Sequence, residues 1–209
     1  MAITTDWKIQ TPDSTTAISM SAWTNLANSI ENALPSAGQP VVISAFPGNT
    51  ETGYKNDLTL ASTNSKLTMW NIASTMPNGF DSGEYPTVTS GSIKVPPYWW
   101  GFVTFEAEVC PFKTLTSGGA AIGLTHATTN TGIATTMNSR GVSKVATAAS
   151  SNMQQSVSCT LYVPSYTSNR YVNAWGRSTS GDGNLIGSNA NNLYLSSITG
   201  VFFYSGANY

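Results

Sequence analysis

The stretch Gly101-Phe102-Val103-Thr104-Phe105-Glu106-Ala107-Glu108-Val109 decides the fold. From Val103 to Val109 the odd positions are apolar and the even ones polar, a period of two that sets one face of a β-strand on a core and the other in water. The alternation returns in Val157-Ser158-Cys159-Thr160-Leu161-Tyr162-Val163. Around these two runs lie shorter ones: Val41-Val42-Ile43, Lys66-Leu67-Thr68-Met69-Trp70, Ser92-Ile93-Lys94-Val95, Ala120 to Leu124, Tyr171 to Trp175, Leu193-Tyr194-Leu195 and Gly200 to Tyr204. Clusters of Gly, Asn, Pro and Ser separate them, and no helical pattern intervenes, so about nine strands predict an antiparallel β-sandwich or jelly roll. Two longer stretches, Thr125 to Ala149 and Ser178 to Asn192, read as loops at an interface or binding surface.

Ahead of this all-β region the pattern differs. Residues 1 to about 18 are polar and aperiodic, with a turn signal at Thr11-Pro12-Asp13-Ser14. From Ser21, the residues Trp23, Leu26, Ile30 and Ala33 recur at spacings of three and four, with Ala27 and Leu34 widening the stripe, which predicts an amphipathic helix ending before Pro35. A helix of about 14 residues is marginal alone in water, so its apolar face rests on its own domain or on a symmetry-related copy. The expected organisation is an arm and helix over 1–38 and a β head over 39–209.

The 209 residues include only 9% Asp, Glu, Lys and Arg, against about 25% in an ordinary soluble domain. Ser, Thr, Asn and Gly fill the deficit. With 40% apolar and 11% aromatic residues the chain has enough core-forming surface to fold. A net charge of −1 and nine basic residues that never cluster in sequence argue against nucleic acid as a partner. No run approaches the roughly 20 apolar residues of a membrane-spanning helix, and Met1 to Trp7 carries neither a basic nor an apolar export segment, so synthesis in a cytosol is expected.

Chemistry is sparse as well. Glu106 and Glu108 are the close carboxylate pair on a regular element, and alternation sets both on one strand face, as in any solvated strand. Asp182 lies in Gly181-Asp182-Gly183-Asn184, a turn signal before it is a calcium ligand. His126 has no metal-ligating or triad partner nearby and reads as a loop or strand-end histidine. Cys159 falls on an apolar phase and Cys110 on a polar one, which argues against a disulfide between them. The expectation is no enzyme activity, no metal and no cofactor. The aromatics are more suggestive: Tyr98, Trp99 and Trp100 follow Pro96-Pro97, and Tyr166 and Trp175 lie in or around a later hairpin. These five are the candidate ligand-binding residues, since aromatics amid Asn, Ser and Thr suit sugar or protein surfaces. Alternatively, one of Trp99 and Trp100 points into the core while its neighbour lies in a subunit interface.

The order Phe80-Asp81-Ser82-Gly83, then Ser92-Ile93-Lys94-Val95-Pro96, then Gly101 to Val109 resembles the opening of the complement-type globular head, related to tumour necrosis factor. The tail, Ser156 to Val163, Tyr171 to Trp175 and Ser197 to Tyr204, is similar to that family's last strands, although Pro164-Ser165-Tyr166 stands where the family has Gly-Asp. The resemblance implies a homotrimer built through aromatic strand faces, with interface roles for Phe105, Tyr162, Tyr171 and Phe203; Trp23, Leu26 and Ile30 would add a helical seam. Residues 7 to 34, opening Trp7-Lys8-Ile9-Gln10-Thr11-Pro12-Asp13, resemble N-terminal docking segments of tailed-phage minor tail and fibre proteins. Together these imply a virion structural protein: residues 1–38 dock on other virion proteins, and a trimeric head attaches to a host-surface glycan or protein. The alternatives are a capsid decoration protein and a glycan-degrading head using Glu106 with Glu108 or a distant Asp. Low charge suits such a particle, because exposed ion pairs are screened by salt and stabilise by only about 0–1 kcal/mol, whereas three weakly binding heads gain roughly 10² in avidity.

Overall fold

A computed structural model of the chain describes residues 2–3, 10–11, 40–48, 58–77, 80–110, 118–131, 138–145, 155–179, 184–185 and 196–206. The helix expected over Ser21 to Leu34, with Trp23, Leu26 and Ile30, lies outside the described residues, as does the strand expected at Leu193-Tyr194-Leu195. Within the arm, β1 (Ala2–Ile3) and β2 (Gln10–Thr11) pair as a short antiparallel ribbon.

The head is two antiparallel sheets across one apolar core. The larger sheet runs in the order β6 (Met69–Ser74), β3 (Val41–Pro47), β15 (Ser196–Tyr204), β9 (Trp99–Cys110), β12 (Gln155–Val163). At the Cys110 end of β9 it is extended by β14 (Asn184–Leu185) and β4 (Leu58–Thr59). The smaller sheet is β7 (Thr87–Thr89), β8 (Ser92–Val95), β13 (Arg170–Ser178), β10 (Gly118–Ala127), β11 (Ser139–Val145), with β5 (Ser65–Leu67) also paired to β13. Of the eight principal strands, β3, β9, β12 and β15 belong to one sheet and β8, β10, β11 and β13 to the other. The chain changes sheet at each step between successive principal strands except the β10–β11 hairpin, which is the crossing pattern of a jelly roll.

Local chemistry explains the strands. In β9 every odd residue from Trp99 to Val109 is buried, and Val103, Phe105 and Val109 are wholly inaccessible, as the period-two reading requires. Ile43, Val41, Leu161, Val163, Ile198 and Phe202 reach in from the same sheet, and Ile93, Ile122, Leu124, Val172 and Ala174 meet them from the other. Ser90 and Gly91 both have positive φ, 50° and 73°, between the paired Thr89 and Ser92, and so form the tight two-residue turn that matches strand twist.

Four expectations need correction. The run Lys66 to Trp70 is two strands, β5 in the smaller sheet and β6 in the larger, because the chain crosses the core edge at Thr68. The presumed loop Thr125 to Ala149 contains β11, and Ser178 to Asn192 contains the last residue of β13 and all of β14. In Ser-Arg-Gly-Val-Ser-Lys-Val the apolar signal of β11 is weak, and one of its inward residues is Gly141, where a Cβ would stand 2.4 Å from the Ser158 carbonyl oxygen of β12. Cys110 has the polar phase yet is only 4% exposed, since β14 pairs alongside it at Asn184. Cys110 and Cys159 are free thiols and both are buried, where only Cys159 was expected in the core; burial pushes the Cys159 thiol up from its ordinary value.

Candidate functional site

The outer face of the larger sheet is the candidate, because its even-phase residues fall into cross-strand rows of matched chemistry. Trp100 lies opposite Phe203, and next comes the row Tyr162–Phe102–Val201–Val42. The following row, Thr160–Thr104–Thr199–Ser44, is all hydroxyl, with the Thr104 and Thr160 oxygens 3.0 Å apart. Beyond it lie Ser158–Glu106–Ser197 and then Ser156–Glu108, where the Ser156 hydroxyl donates to the Glu108 carboxylate. The sheet therefore grades from aromatic through hydroxyl to acidic along a single face.

The aromatic end is a continuous patch. Trp100 and Phe203 stack at 4.8 Å between centroids, Phe102 and Tyr162 stand 5.2 Å apart, and Trp100 reaches both at 6.3 and 6.4 Å. Phe102 is 45% and Tyr162 51% exposed, so large apolar rings meet water where a lone soluble domain would place polar groups. Covering the exposed half of one such ring stabilises by about 2 kcal/mol. The patch is dominated by apolar ring surface and is suited to burial by another surface.

The sequence-derived candidates divide accordingly. Tyr162 and Phe203 are in the patch, and so is Trp100. Phe105 is not: it faces the core with no accessible surface, because it shares the inward phase of Val103 and Val109, and it cannot touch another copy. Tyr171 lies on the opposite sheet beside Lys94. Trp99 is 1% exposed, packed on Phe80 and Tyr204, and donates its Nε1 to the Glu84 carbonyl at 2.8 Å; it is core, and its neighbour Trp100 is outside. Trp175 is also 1% exposed and cannot stack on a surface ligand. Phe102 and Val201 were missed, although an aromatic on the polar phase of β9 was the signal.

Tyr98 and Tyr166 meet at one end of the sandwich. Tyr98 holds φ at 66°, its N–H donates to the Tyr166 carbonyl at 2.8 Å, and its own carbonyl accepts from the Ser205 N–H at 2.8 Å. Such a conformation in a bulky residue costs of order 1–3 kcal/mol and persists because these bonds fix it. The Arg170 guanidinium lies 3.8 Å from the Tyr166 ring centre, and His126, near the end of β10, is 5.7 Å from the same ring. Burial, and then the Arg170 charge, hold the His126 imidazole below its ordinary value. These contacts tie together the residues that flank β9, β13 and β15. Among the described residues no three His, Cys, Asp or Glu side chains converge to hold a metal ion.

The fold and this face define an antiparallel jelly-roll module with an uncovered aromatic sheet face. No protein-family model matches the chain, and no curated protein matches it. Among solved structures it is similar to murine APRIL at pH 5.0, at 9% identity and a TM-score of 0.43 over 78% of this chain and 98% of that one. It is also similar to Eiger TNF from S. frugiperda, at 14% identity and a TM-score of 0.46 over 81% of this chain and 97% of that one.

Proposed function

We propose that the chain is a non-enzymatic structural head that self-associates, as a homotrimer, through the outer face of the larger sheet, and that it serves on a virion, docked through residues 1–38 and directed at a host surface. The observation that carries the assembly is the patch Trp100, Phe102, Tyr162 and Phe203, whose exposure is that of an interface core without its partner. The hydroxyl row beside it supplies the polar rim. The scarcity of charge and the resemblance of residues 7–34 to tail docking segments support the virion setting. Glu106 and Glu108 project side by side from an open sheet face, which supports an interface role over an opposed acid pair in a cleft.

Light scattering on the full chain tests the assembly. A native mass of three times 22.1 kDa is expected. Phe102→Asp with Tyr162→Asp should give a folded monomer, because two carboxylates would have to be buried against another copy. Phe105→Ala should instead lower stability by about 3–5 kcal/mol with its folded fraction still trimeric. A wild-type monomer sinks the reading. Virion adsorption with and without the chain tests the setting.

A further inference from the structure

At one end of the sandwich the apolar core gives way to two basic side chains. Ile122 and Leu124 of β10 and Val172 and Ala174 of β13 point into the core. Alternation makes His126 and Arg170 the next inward positions of those neighbouring strands. The Tyr166 ring lies against both, its centre 3.8 Å from the Arg170 guanidinium carbon and 5.7 Å from the centre of the imidazole. His126 Nδ1 and Arg170 Nε are buried without a hydrogen-bond partner. A neutral imidazole can leave Nδ1 bare, whereas a protonated one carries hydrogens on both nitrogens, one of them buried and unpaired, and sets its charge near Arg170.

Nothing around the ring offsets that charge. Of the described carboxylates, Asp81 and Glu84 share a turn ahead of β7, and Glu106 and Glu108 lie on the outer face of the other sheet; the charge that acts on His126 is that of Arg170. On the β11 side, uncharged Asn138 accepts from the His126 backbone N–H at 3.1 Å. Arg140 and Lys94 pair with Gly123 and Tyr171, outward positions on the far side of the sheet.

The same cluster grips the aromatic patch. The Tyr166 carbonyl accepts from the Tyr98 N–H at 2.8 Å, and the Tyr98 carbonyl accepts from both the N–H and the hydroxyl of Ser205, at 2.8 and 2.6 Å. These bonds hold Tyr98 at a φ of 66°, a strained conformation that relaxes once they are released. Tyr98 is two residues from Trp100 and Ser205 two from Phe203, the pair that stacks at 4.8 Å in the patch.

We propose that His126, Tyr166 and Tyr98 form a proton-sensitive latch on the aromatic face: protonating His126 drives the Tyr166 turn off, frees Tyr98 from its strained conformation, and lets Trp100 and Phe203 shift so that the copies separate. This rests on the assembly reading and adds its regulation. The latch is closed above about pH 6.5 and opens as pH falls below it. Its sign is distinctive, because acid also neutralises Glu106 and Glu108, which would tighten the assembly.

The test is light scattering on the full chain at fixed salt from about pH 7.5 to about pH 5.5, above the ordinary carboxylate range. The concentration at which half the chains are trimeric is expected to rise on the order of tenfold, with the circular dichroism of the strands retained. His126→Gln, uncharged throughout, should stay trimeric in acid, and His126→Arg should be loosened at both ends of the range. Should His126→Arg not fold, Tyr98→Gly replaces it: glycine takes positive φ without strain, so its trimer should respond less to acid than the wild type. Wild-type trimer indifferent to acid, wild-type chain that unfolds rather than dissociates, or His126→Gln dissociating like the wild type overturns the latch and leaves the assembly reading standing. A chain already monomeric at about pH 7.5 refutes the assembly reading, and the latch with it.

Discussion

At the scale of single residues, His126 shows how a side chain unremarkable in sequence acquires a physical role from its neighbours. Its imidazole is half-buried against Tyr166 and near the Arg170 guanidinium, and both burial and that charge disfavour its protonated form. With the folded value below the ordinary 6.5 or so of the unfolded chain, the unfolded state binds more protons between the two. The stability His126 contributes is therefore present above about pH 6.5 and is lost as pH falls through that region. Urea midpoints from pH 7.5 to 5.5 should decline for the wild-type chain, and His126→Gln should flatten the decline. An unchanged slope in that variant would assign the pH response to other groups.

At the scale of elements, legibility followed how much side chain each strand uses for packing. β9 and β12 could be read almost residue by residue, because most inward positions carry an apolar side chain and most outward ones, apart from the aromatic patch, a polar group. β11 could not, since at Gly141, where it meets Ser158 of the other sheet, the contact is made by a hydrogen, and hydropathy records nothing there. Gly141→Val is accordingly expected to cost about 1–3 kcal/mol or more by forcing β11 from β12, seen as a lower urea midpoint. A neutral result would mean that the two edges are not in contact. The site was half legible for the same reason: Tyr162, Trp100 and Phe203 were noticed as aromatics, but only the register of β9 with β12 and β15 sorts them from buried Phe105 and Trp99.

At the scale of the whole molecule, the grading of the larger sheet from rings to carboxylates sets opposing terms on the face proposed for assembly. In the proposed trimer, burying the rings favours association, while Glu106 and Glu108 on the same face bring like charges of the copies toward one another. Like-charge juxtaposition at an interface opposes association, and salt screens it over about 8 Å at physiological ionic strength. Raising salt should then tighten the trimer. Glu106→Gln with Glu108→Gln should assemble more tightly at low salt and lose most of that salt dependence, measured by sedimentation equilibrium from about 20 to 500 mM sodium chloride, on the order of the range over which exposed charges become screened. If the double variant dissociates instead, the carboxylates accept hydrogen bonds from a neighbouring copy, and the acidic rows hold the assembly together.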